Sequence, residues 1–577
     1  MINKWLRKKT DFEAEKGETT GLKRTLGLWD LTSLGIAAII GAGIFSTIGK
    51  ASFEGGPAVT LLFVFTAVAC AFSALCYAEF ASAIPIAGSA YTYAYAAFGE
   101  IVAWIIGWDL IIEYAIGNIA IAISWSDYFT GLLSSVGWDW PAWLSMDYLS
   151  AHRTFPTAQA ALAAGTPPEA LPEWEREAYL AWTGAPQIGG LRLIADLPAL
   201  LIVVLITGLL YIGVKESKTA GNIMVAVKMA ILLMVVAVGA LYVNAEHWTP
   251  FAPNGFTGVM KGVAAVFFAY IGFDALSTTA EECRDPARDL PRAMILALVI
   301  CTVLYVILAL ILTGLAPHTL LNVGDPLAFV FKHAPMPDAL RNAVSAVVAV
   351  GAIVAMTGVL LVFQMGQPRI WFSMSRDGLL PQRFARIHPK FRTPSFSTVV
   401  TGVLVAVPSL FMNLTEVTDL SSLGTLFAFA LVCGGVIRLR HRPREYRPKF
   451  EVPYINARYF MPPLYLAVTA GFVYWFDSPI SRWLLGADST RFPLPNPITP
   501  YVFLAVFTAL AYGSVRWKWS LIPVLGVSTC VFLMAEVPLK SWALFVVWLV
   551  AGLALYFSYG VKNSKLNAPT SPENGKI

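Results

Sequence analysis

Two glycine-interrupted stretches have the residue types and spacing to expose peptide groups inside a membrane. "IIGAGIF" (39–45) places Gly41 and Gly43 in the middle of one apolar run, and "AYIGFD" (269–274) places Gly272 in another. Glycine costs about 1 kcal/mol in a helix interior relative to alanine. An unwound helix in a membrane also leaves N–H and C=O groups that need partners. We therefore interpret both stretches as helix breaks that bind a ligand through their peptide groups.

The two ends of the first break suit opposite charges. The outer half, which begins near Gly43, presents N–H donors and the positive end of a helix dipole, and these suit a carboxylate. The inner half ends with the carbonyls of Ile39 and Ile40, which suit an ammonium group. An α-amino acid carries both groups on one carbon. The alternative is that the glycines only permit close helix packing, although Gly41 and Gly43 are two residues apart and do not form one packing face.

Lys228 lies in "NIMVAVKMAILLMVVAVG" (222–239), which is apolar on both sides. It is about ten residues, or about 15 Å of helix, from the start of the predicted helix 217–243, too far for its ammonium to reach the interface easily. An ionisable residue at such a depth is by default a functional hypothesis, and a buried lysine can exchange its proton near neutral pH. We predict a proton-coupling role for Lys228, against the alternative of a permanently paired structural cation.

Three acidic residues also lie in or beside apolar runs. Asp109 and Glu113 are four residues apart and therefore share one helix face. Glu113 lies deeper in its run and is predicted to be the partner of Lys228 or a proton relay, whereas Asp109 is expected to make a polar contact nearer the inner side. Asp274 follows the second break, where it is predicted to cap the inner half-helix or to contact the ligand.

The elements that must position these residues are membrane helices. Of the 577 residues, 57% are hydrophobic and 13% are charged, whereas soluble proteins carry about 25% charged residues. A spanning helix needs about 20 mainly apolar residues. This criterion predicts an all-α integral membrane protein with about fourteen transmembrane helices, at 28–51, 57–83, 98–131, 191–213, 217–243, 257–281, 290–315, 339–368, 395–413, 417–438, 461–476, 499–515, 519–536 and 541–560.

The distribution of basic residues predicts the orientation. With the N-terminus in the cytoplasm, 30 of the 41 Lys and Arg residues fall on the inner side, as the positive-inside rule requires. We expect a multi-pass protein of the cell (inner) membrane with both termini cytoplasmic. The net charge of +5 follows from this bias and requires no nucleic-acid partner.

The segment 132–190 is then external, and it is rich in Trp, Pro and Ala. We expect a capping domain with short interfacial helices; a substrate lid or a surface for an accessory subunit is the alternative. The predicted domain organisation is a cytoplasmic N-terminal tail (1–27), a first repeat (28–251) with that insertion, a second repeat (252–438), C-terminal helices (439–561) and a disordered tail (562–577).

Metal, cofactor and covalent chemistry are not expected. Most of the six cysteines lie in apolar runs, and the six histidines scatter through predicted loops, so the sequence predicts neither a disulfide framework nor a metal site. It also contains no GxSxG, HExxH or P-loop motif. We therefore predict no enzyme activity and no cofactor.

Several motifs resemble one transporter superfamily. "IAAIIGAGIF" is followed by "YAEFASAIPIAGSAYTYAYAAFGE" (77–100), "GWDLIIEYAIGN" (107–118), "FFAYIGFDALSTTAEECRDPARDLPRA" (267–293) and "MGQPRIWFSMSRDGLLP" (365–381). In this order they resemble the amino acid–polyamine–organocation (APC) transporter superfamily, and its cationic amino acid transporter branch most closely. The external insertion is longer than this family leads us to expect.

The resemblance implies two inverted five-helix repeats, with the substrate between the broken first and sixth helices. The implied substrate-binding residues are Ile40, Gly41, Ala42, Gly43, Ile44, Phe268, Ala269 and Ile271, with Phe268 also a candidate aromatic gate. In proton-coupled members a lysine of the fifth helix occupies the space where sodium binds in related symporters. By analogy, Lys228 would take that place.

The eighth segment should face the substrate side chain, and it reads "GAIVAMTGVLLVF" (351–363) with Met356, Thr357 and no acid. This composition favours small neutral amino acids over cationic ones. The sequence thus predicts proton-coupled uptake of L-amino acids. Arginine or lysine transport, amino acid or amine exchange, sodium symport, and a channel or transporter-like nutrient sensor remain as alternatives.

Overall fold

The computed structural model describes residues 26–84, 89–213, 218–440, 450–485, 492–493 and 496–567. Most of the predicted N-terminal and C-terminal tails therefore lies outside the described residues. Within the described ranges the chain is almost entirely helical, and its strands are limited to two pairs of two residues.

The helices of the first half include the first break and the external insertion. They are α1 (Leu28–Ile39), α2 (Ile48–Gly55), α3 (Val59–Ala83), α4 (Ser89–Ala97), α5 (Glu100–Ser135), α6 (Tyr148–Ala163), α7 (Glu173–Gly184), α8 (Leu197–Ile212) and α9 (Lys218–Gly239). Between α7 and α8, β1 (Gln187–Ile188) pairs antiparallel with β2 (Leu191–Arg192). The predicted capping domain is therefore a helical hairpin followed by a short β-hairpin.

The second half contains the second break and the C-terminal helices. They are α10 (Gly255–Lys261), α11 (Val263–Phe268), α12 (Pro286–Leu315), α13 (Pro326–His333), α14 (Asp338–Arg376), α15 (Ser395–Ser409), α16 (Leu414–Leu439), α17 (Met461–Trp475), α18 (Pro479–Leu485), α19 (Thr499–Trp517), α20 (Leu521–Glu536) and α21 (Leu539–Leu555). After α17, β3 (Phe476–Asp477) runs parallel to β4 (Phe492–Pro493).

Each of the fourteen predicted segments coincides with a helix or a broken helix. Among the described residues, six helices are long and apolar enough to cross a membrane, or seven when one bent pair is counted as a single span. Five further apolar helices are shorter. The structure is therefore that of an all-α membrane protein, while fourteen spans and the inverted repeat stay predictions.

Polar caps start several helices at the positions where the chain must turn. The side chain of Asp196 accepts a hydrogen bond from the N–H of Ala199 at the start of α8. Asn413 does the same for the N–H groups of Thr415 and Glu416 at the start of α16. Such caps satisfy N–H groups that have no partner within the helix.

The long helix α5 forms the centre of the packing. Gly117 of α5 contacts Phe363 of α14, where a Cβ would lie 3.1 Å from the ring. On another side the indole of Trp108 stacks on that of Trp548 in α21, with ring centroids 4.4 Å apart, and each indole N–H donates to the other residue's carbonyl. This packing holds α5 between α14 and α21.

Candidate functional site

The first break lies where the glycine motif predicts it. Helix α1 ends at Ile39, and Ile40 adopts an extended backbone (φ −77°, ψ 96°). The chain then resumes as a π-helical turn over Gly43–Thr47, which leads into α2. The N–H groups of Ile44 and Phe45 both donate to the carbonyl of Gly41, at 3.2 Å. The predicted unwinding is therefore confirmed.

The outer side of this break presents donors. Among the described residues, no backbone hydrogen bond is donated by the N–H groups of Gly41, Ala42 and Gly43. Such donors at the start of a helical segment are suited to an anion. A carboxylate bound there would have no backbone hydrogen bond of these N–H groups to displace.

The inner side of the break differs from the prediction. Lys228 Nζ donates to the carbonyl oxygens of Ala37 at 3.0 Å and Ile40 at 3.1 Å, and Tyr305 Oη donates to that of Ile39 at 3.1 Å. The expectation that the Ile39 and Ile40 carbonyls are free for a substrate ammonium is therefore wrong. These carbonyls are held by two side chains from α9 and α12.

The second break is centred on Gly272, whose φ of +120° is strained for any other residue. Before it, the last turn of α11 tightens, because the N–H of Ile271 donates to the carbonyl of Phe268 at 3.3 Å. After it, the chain continues as a 3₁₀ helix over Phe273–Glu282 and not as the α-helix expected. A further bend of 41° separates Gly255–Lys261 from Val263–Ser277, and the sequence pattern did not predict it.

The carbonyls of the second break differ in whether they accept a hydrogen bond. Those of Ala269 and Ile271 accept no backbone hydrogen bond among the described residues. The Phe268 carbonyl accepts the hydrogen bond from the N–H of Ile271. The side chain of Phe268 is 6% exposed. The carboxylate of Asp274 interacts with the backbone N–H groups of Gly272 and Ala275, which supports the predicted capping role.

The two breaks cross at their glycines. A Cβ on Gly43 would lie 2.3 Å from the Cα of Ala269, and a Cβ on Gly272 would lie 2.7 Å from the carbonyl oxygen of Ala38. Real Cβ atoms do not approach other atoms so closely, so both positions require glycine. Close packing, the alternative considered for these glycines, is thus part of the same arrangement that exposes the peptide groups.

Helix α14 faces the first break with an apolar surface. A Cβ on Gly41 would lie 3.2 Å from Cγ2 of Val359. Met356, one turn earlier on α14, is fully buried. The neighbouring Thr357 accepts a hydrogen bond at 3.0 Å from the indole N–H of Trp125 on α5. A ligand side chain beside Val359 would meet hydrocarbon from this helix.

The sequence did not predict three residues that contact the first break. Tyr305 and Val359 contact the first break from α12 and α14, as described above. Tyr128 of α5 donates to the carbonyl of Phe45 at 2.6 Å. The only sequence signal for the tyrosines was a hydroxyl within an apolar run, which needs a partner when buried. That signal does not say which carbonyl the hydroxyl reaches.

The acidic residues lie apart from Lys228. Among the described residues no ion pair joins Lys228 to Glu113, so the predicted direct pairing is wrong, and a relay role for Glu113 stays a prediction. Glu113 is hydrogen-bonded to Thr425 of α16. Both carboxylate oxygens of Asp109 are buried without a hydrogen-bond partner in the described chain, and a Cβ on Gly424 would lie 3.0 Å from one of them.

Comparison with known families finds two matching family models. A family model described as "Amino acid permease" matches residues 26–514, and one described as "C-terminus of AA_permease" matches residues 521–564.

Three relatives illustrate the range of substrates that their names give. The methylthioribose transporter of Bacillus subtilis (strain 168) is 35% identical over 98% of this chain and 100% of its own length. The branched-chain amino acid permease BcaP of the same organism is 36% identical over 96% of both chains. The chloroplastic cationic amino acid transporter 9 of Arabidopsis thaliana is 32% identical over 93% of this chain and 88% of its own length.

Proposed function

Because the chain belongs to the amino acid permease family, we propose that it is a secondary active transporter for small neutral L-amino acids. It takes up its substrate together with protons, and the site opens to the two sides of the membrane in turn. The observation that carries the proposal is the crossing of the two breaks. There Gly43, whose N–H donates no backbone hydrogen bond among the described residues, packs against Ala269, whose carbonyl accepts none.

The substrate's α-carbon would bind between these two sets of peptide groups. Its carboxylate accepts from the N–H groups of the first break, and its ammonium donates to the carbonyls of the second. The carbonyls of Ile39 and Ile40 take no part, since Lys228 and Tyr305 already bind them. Peptide groups recognise the part shared by all amino acids, so selectivity must come from residues such as Met356 and Val359.

Lys228 is the proposed proton carrier. Its ammonium joins α9 to the end of α1 through two carbonyls, and hydrogen bonds from a charged donor are about twice as strong as neutral ones. Release of the proton would weaken this connection. The proton on Lys228 would thereby favour one position of α1, which is the coupling that a proton-driven transporter requires.

The apolar surface of α14 favours a neutral substrate. A cationic side chain buried there would lack an acidic partner within residues 351–363 of this helix, and an unpaired buried charge is costly. Transport of arginine or lysine is the second candidate, since several relatives are cationic amino acid transporters. Methylthioribose, named for another relative, has neither a carboxylate nor an ammonium group to match the peptide groups of the site.

Uptake by the purified protein in liposomes, under an imposed inward proton gradient, tests the proposal. The panel comprises alanine, serine, valine, leucine, arginine, lysine and methylthioribose, each tracer-labelled at equal concentration. We expect accumulation of small neutral amino acids above the external concentration. Equilibration without accumulation would indicate a channel, and dependence on a substrate preloaded inside would indicate an exchanger. Preferred uptake of arginine or of methylthioribose would overturn the proposed selectivity.

A further inference from the structure

The start of α16 is joined to the external insertion, which residues 132–190 define. Asn413, the residue before α16, caps that helix with its side-chain oxygen. Its side-chain nitrogen donates to Ser150 Oγ of α6 at 2.6 Å. Asn413 thus links the N-terminal end of α16 to the insertion.

A cluster of charges reinforces this link. Glu416 Oε1 accepts from Arg153 Nη2 of α6 at 2.9 Å and from Lys540 Nζ of α21 at 2.6 Å. The Glu416 side chain is 21% exposed and that of Arg153 is 53% exposed. Partly exposed ion pairs are individually weak, so this contact can break and re-form in a working cycle.

The same end of α16 contacts the outer half of the first break. Lys50 of α2 donates from Nζ to Thr415 Oγ1 at 2.7 Å. Helix α2 directly follows the π-helical turn of Gly43–Thr47. The chain of contacts therefore runs from the insertion through Asn413 and Thr415 to the helix that begins at the proposed substrate site.

The far end of the insertion is fixed to other helices. Where it joins α8, Asp196 Oδ1 accepts from Ser126 Oγ of α5 at 2.6 Å. The N–H of Asp196 donates to the carbonyl of Leu410, and the N–H of Ala195 donates to that of Trp143. The insertion therefore bridges α5 and α8 on one side and the start of α16 on the other.

We propose that the external insertion is a latch on the outer gate, in which Ser150 and Arg153 position α16 so that Lys50 holds α2 over the substrate site. Opening to the outside separates Lys50 from Thr415 and releases α16 from the insertion. This inference rests on the proposed transport function, because a gate has meaning only in a transporter. Ser150 and Arg153 are positioning residues that act through α16.

Two substitutions of Arg153 test the role of its charge. Arg153→Ala removes the contact to Glu416 and should change the apparent KM of uptake about two- to five-fold, the range for a partly exposed ion pair, with a smaller change in kcat. Arg153→Lys keeps the charge and should restore most of the wild-type KM. Equal KM values for wild type and Arg153→Ala, or a loss that Arg153→Lys does not rescue, would contradict a positioning role.

A reversible cross-link tests the separation itself. Cysteines replace Ser150 and Asn413 together, while the six native cysteines are buried. Oxidation should stop uptake and dithiothreitol should restore it; either single variant treated with oxidant serves as the control. If the fully cross-linked protein takes up substrate as fast as the dithiothreitol-treated protein, the latch is overturned while the transport function stays intact. Absence of amino acid uptake by wild type would overturn the transport function itself. If the double variant does not fold, the Arg153 series decides.

Discussion

Gly43 and Ala269 touch where the two broken helices cross, and a Cβ on Gly43 would lie 2.3 Å from the Cα of Ala269. Two backbones can approach this closely only where one of them has no side chain. The contact brings the donor end of the first break against the backbone of the second, at a residue whose carbonyl we propose as an acceptor. The proposed spacing of the two sets of peptide groups therefore depends on glycine at position 43.

Alanine at position 43 should therefore separate the two breaks. Overpacking a closely packed contact costs about 1–3 kcal/mol, and the displaced atom here is backbone, which cannot rotate away. We expect at least about a tenfold fall in uptake for Gly43→Ala. Gly208→Ala on α8 is the matched control, because no atom lies within 4 Å of its Cβ position. Normal uptake by Gly43→Ala would show that the breaks need not touch.

The hydroxyl of Tyr305 should contribute to the shape of the first break. Tyr305→Phe leaves the buried carbonyl of Ile39 without its donor, at a cost of about 1–3 kcal/mol. We expect about a tenfold loss in kcat/KM for uptake. Tyr91→Phe is the control, since that buried hydroxyl bonds the carboxylate of Asp377 and lies outside both breaks. Equal losses in the two variants would indicate a general packing effect.

Val359 should limit the size of the substrate side chain. Val359→Ala removes two methyl groups beside Gly41, and one methylene in an apolar pocket is worth about 1–3 kcal/mol of discrimination. We expect the ratio of leucine to alanine uptake to rise about tenfold, measured by competition with labelled alanine. Val347→Ala, at an exposed position of the same helix, should leave the ratio unchanged. An unchanged ratio in Val359→Ala would place the side-chain pocket elsewhere.

Asp325, between α12 and α14, should make stability depend on pH. Burial, with repulsion from Glu173, raises the pKa of this carboxyl from 3.8 to about 6 although Lys332 lies 3.6 Å away. The folded state then binds the proton more tightly than the unfolded state, so the free energy of unfolding falls as pH rises from about 4 to about 6.

Thermal unfolding across this pH range measures the effect. Asp325→Asn should flatten the profile, whereas Asp338→Asn, whose side chain is 82% exposed, should leave it unchanged. A profile for Asp325→Asn that follows the wild-type curve would contradict the assignment.

The sequence predicted the breaks because glycine weakens a helix at a depth where the membrane offers its peptide groups no water. Gly41, Gly43 and Gly272 all lie where the helices unwind. Apolar length alone predicted the helices, and most observed boundaries agree within a few residues, although α14 continues to Arg376 where an end at 368 was predicted. These features depend on local composition, which a single sequence displays directly.

What the sequence could not predict was which partner each polar group meets. Glu113 appeared to be a natural partner for Lys228, yet Lys228 binds two carbonyls of α1. That pairing depends on how α9 crosses α1, and periodicity contains no information on crossing. The hydroxyl of Tyr305 and the methyl groups of Val359 went unnoticed for the same reason, since each acts on a break distant in sequence.

Uptake driven by an imposed pH gradient tests the central claim most directly. Liposomes containing wild type or Lys228→Met are given an inward proton gradient, or none, at the same external pH, and uptake of labelled alanine is measured. We predict that the gradient stimulates accumulation by wild type, and that Lys228→Met loses this stimulation while retaining gradient-independent exchange. Identical uptake by wild type with and without the gradient, or undiminished stimulation in Lys228→Met, would contradict proton coupling through Lys228.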